Sequence, residues 1–325
     1  MNKSGLTIIK HFTLIIAGVM TSTFAFADNF LIVSNTEHKY HQEIVSNIEE
    51  SLTLSGDKYD SIDTADLNDI ETSTFSSLIT IGYKAASSVV SSDTNKPVLS
   101  LLIPKLALNL LIKNHIKKEN RYLFSAIYID QPIDRQVRLI RNLSSRFKTV
   151  GVLYGKNSYS RKNSVSETLK KHKLHISDIT VLDRTELITE TRYLAENSDV
   201  LLAIPDSTIY NRRSIKGILL TTYRNQIPVI GYSKAYVKAG ALAAVFSTPE
   251  NISNHAIEII QKNKTFNYIS ATRQHPKYFD VSVNKKVAQS LSIRTVRKNK
   301  LLKILQESEP KLELSPDTKN IRQVK

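Results

Sequence analysis

The chain has 325 residues, more than one ordinary core accommodates, which points to two lobes. Its composition, 41% hydrophobic and 23% charged with 9 Gly and 9 Pro, is that of a folded protein and excludes a disordered one. A formal charge of +15 would suit nucleic acid, anionic lipid or an acidic ligand, yet Lys and Arg are spread along helix-like runs such as 169–175 and 211–216 with no recognition motif beside them, so nucleic acid is not an expected partner.

Lys3 and Lys10 precede an apolar run at 12–20, and Ala25-Phe26-Ala27 supplies a small-residue cleavage site. This pattern predicts a signal peptide over 1–27, cut after Ala27. The apolar run falls short of the ~20 residues a bilayer span needs. The absence of cysteine excludes a lipidated cysteine at the cleavage site and any disulfide, so the mature chain is expected in an exported compartment, most simply a bacterial periplasm.

A buried strand is expected at 30–33, ending at Ser34-Asn35, then a helix over 41–54 with Ile44, Val45, Ile48 and Leu52 on one face and Gly56 at its stop. Strands follow at 59–64, at 77–81 before Gly82-Tyr83-Lys84, and at 97–103 before Pro104, with helices at 85–90 and 106–112 between and after. This alternation predicts a parallel, doubly wound lobe. A strand at 123–129 leads through Asp130-Gln131-Pro132 into a second run of the same kind: helix 133–143, strand 149–154, helix 164–174 and strand 179–182. Buried strands at 200–204 and 227–230 then flank an amphipathic helix reaching Tyr223. A short helix, a strand at 242–246, a helix at 252–261 opened by Thr248-Pro249, an alternating strand at 278–283 and a helix at 286–291 complete the lobes. Beyond Arg294 the residues are mostly polar and charged, which predicts a helix at most to Leu305 and a disordered end. Two successive α/β lobes with no Ser/Gly linker imply a hinge made of strands, hence a cleft.

In open α/β sheets, ligands bind outside the carboxyl ends of the strands. That places Ser34, Asn35, Gly82, Tyr83, Lys84, Tyr154, Asn157, Asp206, Ser207, Tyr232 and Ser233 as candidate ligand contacts, although Asn, Asp and Ser favour turns with or without a ligand. For a zwitterionic ligand, Asp206 would pair with the ammonium group and Lys84 or helix-terminal amides with the carboxylate, while Tyr83, Tyr154 and Tyr232 would enclose an aromatic ring.

Enzyme readings find little support. There is no thiol nucleophile, no G-x-S-x-G elbow and no phosphate-cradling Walker loop. His38 with His41 and His172 with His175 have helical spacing but no neighbouring ligands at zinc-site spacing, so no metal is expected. Asp130 and Asp134 read as an ordinary helix start.

The segment 126–293 resembles the ABC-transporter substrate-binding proteins of the type I periplasmic-binding-protein fold, in the branch that includes tryptophan- and tyrosine-binding-like members. The matching pieces are Thr149-Val150-Gly151-Val152-Leu153-Tyr154, Ile204-Pro205-Asp206-Ser207-Thr208, Ile227-Pro228-Val229-Ile230-Gly231, Val237-Lys238-Ala239-Gly240-Ala241-Leu242-Ala243 and Val283-Asn284-Lys285-Lys286-Val287-Ala288, in family order and spacing. The resemblance implies two Rossmann-like α/β lobes with parallel sheets joined by a three-strand hinge. Lobe 1 would be 28–128 plus 249–275, and lobe 2 would be 129–248 plus 276–293, with 294–325 a basic tail. It implies a monomer without cofactor that binds a small-molecule ligand and meets either a membrane permease of an ABC transporter or a membrane sensor. The sequence departs from the family where Gly82 is followed by Tyr83 and Lys84, and where Gly155-Lys156-Asn157-Ser158 replaces a small-residue loop. These changes would reshape the pocket, and a decayed cleft serving a structural interaction is a third reading.

Overall fold

The computed structural model of the protein describes residues 28–92, 94–264, 272–294 and 297–309, so the signal peptide expected at 1–27 and the end of the tail lie outside the described residues. The first unit comprises β1 (Asn29–Ser34), α1 (Lys39–Leu54), β2 (Lys58–Asp63), β3 (Ser77–Ile81), α2 (Tyr83–Ser91), β4 (Val98–Ile103), α3 (Lys105–His115) and β5 (Phe124–Tyr128). The second comprises α4 (Ile133–Leu143), β6 (Thr149–Tyr154), α5 (Lys162–Lys171), β7 (His175–Thr180), α6 (Leu187–Glu196), β8 (Val200–Leu202), α7 (Ile215–Arg224), β9 (Val229–Gly231), α8 (Lys234–Ala239) and β10 (Ala243–Phe246). The chain closes with α9 (Pro249–Lys264), β11 (Arg273–Gln274), β12 (Asp280–Val283), α10 (Lys285–Ser290) and α11 (Lys298–Glu307).

Two six-stranded sheets result, ordered β11-β5-β4-β3-β1-β2 and β12-β10-β9-β8-β6-β7. The expected architecture of two doubly wound α/β lobes holds. The chain passes between the sheets three times, at residues 129–132, 247–248 and 275–279. All pairings are parallel except that of β12 with β10, registered Ala243↔Val283 and Phe246↔Asp280. The exception has a topological cause: β10 runs toward the hinge, whereas β12 starts at the hinge and runs away from it.

Each sheet is buried on both faces. Leu31 and Val33 of β1 pack with Ala85, Val89 and Leu108, while Phe30 and Ile32 pack with Ile44, Ile48 and Leu52 of α1 and Ile252 and Ala256 of α9. In lobe 2, Val150, Val152 and Tyr154 face α4 and α5, and Leu153, Leu201 and Ala203 face α6 and α7. Continuous apolar strands are what two covered faces require.

Four departures from the sequence reading have physical causes. β7 begins at His175 rather than 179, because Lys173 adopts φ +56 after α5 and turns the chain early; its polar residues are those of a half-exposed edge strand. α6 was not foreseen: its buried face is Leu187, Thr191, Leu194 and Ala195, and the polar Thr191 breaks the apolar pattern while donating to Leu187 O at 2.6 Å. α2 starts at Tyr83, so Tyr83 and Lys84 lie in its first turn rather than in a loop. The segment after Arg294 contributes α11, whose Leu301 and Leu305 are fully buried in the lobe 2 core, so residues 297–309 belong to that lobe.

Candidate ligand-binding cleft

Strand direction places the site. β5 and β10 both enter crossings at their carboxyl ends, and side chains from both lobes meet there. Asp130, in the first crossing, accepts Lys105 N–H of lobe 1 at 2.7 Å on Oδ2, and its Oδ1 lies 3.8 Å from the Arg161 guanidinium, which follows β6 of lobe 2. Tyr40 of α1 donates its hydroxyl to Ser247 O of the second crossing at 2.5 Å. The carboxyl ends of both sheets therefore border one gap.

On the lobe 1 side, Ser34 is buried at the end of β1, and Asn35 Oδ1 accepts Glu37 N–H at 3.0 Å, which is turn chemistry. Gly82 has φ +88, and a Cβ there would lie 2.7 Å from the His41 ring, so glycine is required by backbone and packing alike. Tyr83 is half exposed and Lys84 exposed, both at the start of α2. Asp63, at the neighbouring strand end, accepts Thr36 N–H, Thr36 Oγ1–H and Ala65 N–H; these bonds, with Lys84 nearby, hold its carboxyl down at about 2.

On the lobe 2 side, Asp206 is 3% exposed and its carboxylate is filled from within. Oδ2 accepts Asn157 N–H at 3.1 Å, Ser158 N–H at 2.8 Å and Ser158 Oγ–H at 2.7 Å, and Oδ1 accepts Thr208 N–H at 2.8 Å and Thr208 Oγ1–H at 2.6 Å. Burial pushes its pKa up, but the bonds from Thr208 and Ser158 outweigh burial and leave it lowered. Asp206 thus ties the loop after β6 to the loop after β8 and has no capacity left for the ammonium group expected from sequence. Asn157 Nδ2 donates to Ser207 Oγ at 3.1 Å on the exposed side of this clasp. Gly155 makes the clasp possible, since a Cβ would sit 2.2 Å from Thr208 Oγ1 and 2.8 Å from Asp206 Oδ2.

Tyr154 is fully buried among the residues of the lobe 2 core, so its ring offers no face to a ring-shaped solute; its hydroxyl has no partner among the described residues. Burial first, and then Asp178, raise its pKa. Tyr232 is half-buried, with its ring 4.4 Å from that of Tyr236 and the two hydroxyls 2.8 Å apart. Tyr210 stands edge-on to both, 6.3 and 6.2 Å away. Ser233 accepts Tyr236 N–H as the cap of α8. The strand ends of β8 and β9 thus carry a three-tyrosine cluster, of which the sequence reading found only Tyr232. The four-residue steps from Asp206 to Tyr210 and from Tyr232 to Tyr236 were the available signal.

The histidine pairs have other occupations: His38 and His41 stand edge-to-face at 5.2 Å, and His172 Nε2 lies 2.7 Å from Asp134 Oδ1. Two hollows of the described surface border the second crossing and the strand end of β10. One of about 460 Å³ is lined by Lys39, Asn47 and Thr248, and one of about 400 Å³ by Lys234, Phe246 and Asp280. No described helix is long and apolar enough to cross a membrane.

The site's setting matches known proteins in fold. Residues 45–307 match the family described as ABC transporter substrate binding protein. No curated protein matches the chain. Among solved structures, the ligand-free, open structure of CD0873, a substrate binding protein with adhesive properties from Clostridium difficile, is similar with a TM-score of 0.70 at 17% identity, over 83% of this chain and 97% of that one. The ABC domain in complex with L-Trp from Streptococcus pneumonia gives 0.57 at 18% identity, over 84% and 98%. A XylFII-LytSN complex mutant gives 0.55 at 14% identity, over 80% and 99%. With the family match spanning most of its length and both lobes, the chain belongs to the ABC transporter substrate binding protein family.

Proposed function

We propose that the protein is an exported, periplasmic solute-binding component of an ABC-type uptake system, monomeric and without catalytic role or cofactor. It takes a small polar or aromatic molecule between its lobes and presents the closed form to a membrane permease. The observation that carries this reading is the convergence of both sheets' carboxyl ends on one gap, at Asp130, Arg161, Tyr40 and Ser247, in a chain of this family. In this reading the resting state is open and a ligand shifts it toward closure. The half-exposed Tyr83 and the half-buried Tyr232 supply aromatic surface on the two sides.

Native mass spectrometry of the purified chain tests the reading: a copurified small molecule, released on denaturation, is the expected result. An empty protein whose melting temperature no metabolite extract shifts would refute it. A second reading, ligand sensing for a membrane receptor without transport, is favoured by the likeness to the XylFII-LytSN complex. A gene for a permease and ATPase beside this one would select transport, and one for a membrane kinase would select sensing.

A further inference from the structure

The strand ends differ in how they dispose of opposite charges. The buried and half-buried carboxylates there are taken by donors of this chain. Asp63 holds Thr36 and Ala65; Asp130 holds Lys105 N–H and faces Arg161; Lys162 lies 2.6 Å from Asp178; and Thr185 N–H donates to Asp183. Asp206 is filled by five donors. Among the described residues Glu37, Asp66, Glu186 and Glu250, exposed on the segments after β1, β2, β7 and β10, have no side-chain donor.

The cations are not taken in the same way. The ammonium groups of Lys84, Lys105 and Lys156 are exposed at the ends of β3, β4 and β6, and no hydrogen-bond acceptor for any of them is found among the described residues. Lys105 Nζ lies 5.9 Å from the centroid of the Tyr128 ring, which holds it beside the first crossing, where Arg161 arrives from the other lobe with its guanidinium 24% exposed. Asp130 is bonded to the uncharged Lys105 backbone N–H and faces Arg161, so the Lys105 ammonium at this crossing has no counter-ion among the described residues. The Tyr154 hydroxyl, buried and without a partner among the described residues, belongs to the same strand end as Arg161.

We propose that the solute of this cleft is an anion carrying a carboxylate or phosphate and no ammonium group, held at the floor between Lys105 of lobe 1 and Arg161 of lobe 2. A cationic amine would find Asp130 and Asp206, the carboxylates on the loops around this pair, already filled, and the exposed Glu37, Asp66, Glu186 and Glu250 follow other strands than β4 and β6. An anion finds two cations delivered by different lobes, so its binding also favours closure. The inference rests on the proposed function and narrows its substrate class.

Calorimetry on the full mature chain with indole-3-acetate, L-tryptophan and tryptamine varies the charged group on one ring, and succinate and inorganic phosphate extend the anions beyond it. At least one of the three anions is expected to bind, tryptamine not at all, and L-tryptophan about tenfold or more weaker than the best anion. Lys105→Gln should lower the anion's affinity by roughly tenfold, and Glu37→Gln should leave it unchanged. Whether a carboxylate or the phosphate binds identifies the head group. Binding of L-tryptophan or tryptamine as tight as that of the anions, or no binding of any anion, overturns the inference. A neutral or cationic solute found by native mass spectrometry would overturn it while leaving the cleft reading standing, whereas an empty, unresponsive protein would remove both.

Discussion

The clasp around Asp206 permits a quantitative test. In Asp206→Asn one acceptor oxygen becomes an amide group that points donors at donors. Whichever way it turns, either the Ser158 pair or the Thr208 pair loses its acceptor. Bonds to a charged acceptor contribute about 1.5–3 kcal/mol each, so losing two costs about 3–6 kcal/mol, a large share of the ~5–15 kcal/mol that holds a domain folded. With m near ~3 kcal/mol/M, the urea midpoint followed by far-UV circular dichroism should fall by about 1 M or more at pH 7. The pH dependence carries the same signature. The folded pKa of Asp206 is depressed below the ordinary carboxylate value, so its stabilisation is present above about 4 and is lost as pH falls through the folded pKa. The gap between wild type and variant should therefore be widest at neutral pH and close in strong acid. A variant with an unchanged midpoint at pH 7, or a gap indifferent to pH, would refute the structural role assigned to this carboxylate.

Gly155→Ala forces a Cβ to 2.2 Å from Thr208 Oγ1, so it should open the same clasp and lower the melting temperature about as much as Asp206→Asn does. Tyr210→Phe removes a buried hydroxyl that has no partner among the described residues, so thermal denaturation should show a change within about 1 kcal/mol or a gain. Leu301→Ala and Leu305→Ala each empty a fully buried position and should cost about 2–5 kcal/mol in urea unfolding; values near zero would mean that α11 is not part of the lobe 2 core. Burial holds His255 down at about 4, and its Nδ1 accepts Lys277 N–H, so the neutral ring is the folded form. Its folded pKa lies below the unfolded ~6.5, so the unfolded chain binds the extra proton: stability should decline by about 3 kcal/mol as pH falls from 6.5 to 4, and His255→Asn should flatten that slope.

The lobes were legible because their strands are continuous apolar runs ending in turn residues, a pattern that a sheet covered on both faces demands. β3 and β6 coincide with the sequence reading to the residue. Edge and polar elements were harder to read. β7 is a half-exposed edge strand whose Ile176 and Ile179 join different cores and leave no apolar run, and α6 hides a buried Thr191 whose hydroxyl is satisfied by its own helix. At the site, strand-end position singled out Asp206 but not its use. Sequence shows a carboxylate beside a cleft, and only three-dimensional structure shows that Asn157 and Ser158, about fifty residues earlier in the chain, consume it. Tyr154 follows the same logic: the residue ending a strand is as apt to point into the lobe as out of it.

The three crossings are bonded to one another more than a simple linker would be. Arg135 of α4, 3% exposed, donates to Gln131 Oε1 of the first crossing at 2.6 Å and to Pro276 O of the third at 3.1 Å, covers the Phe279 ring at 4.0 Å, and is neutralised by Glu309 at 2.7 Å. Gln131 Nε2 donates to Ser247 Oγ of the second crossing, which donates to Tyr278 O of the third. These partners move with lobe 2. Lobe 1 holds the third crossing through α9, where His255 accepts Lys277 N–H and Glu258 takes the Lys277 ammonium and the Tyr278 hydroxyl. Residues 276–278 are therefore gripped from both sides, whereas the second crossing meets lobe 1 through Tyr40 on an exposed bond. In the proposed closure, rotation of the lobes would be absorbed where the bonds are exposed, and the buried Arg135 hub would keep the crossings in register, because an unpaired buried guanidinium costs more than an exposed hydroxyl bond.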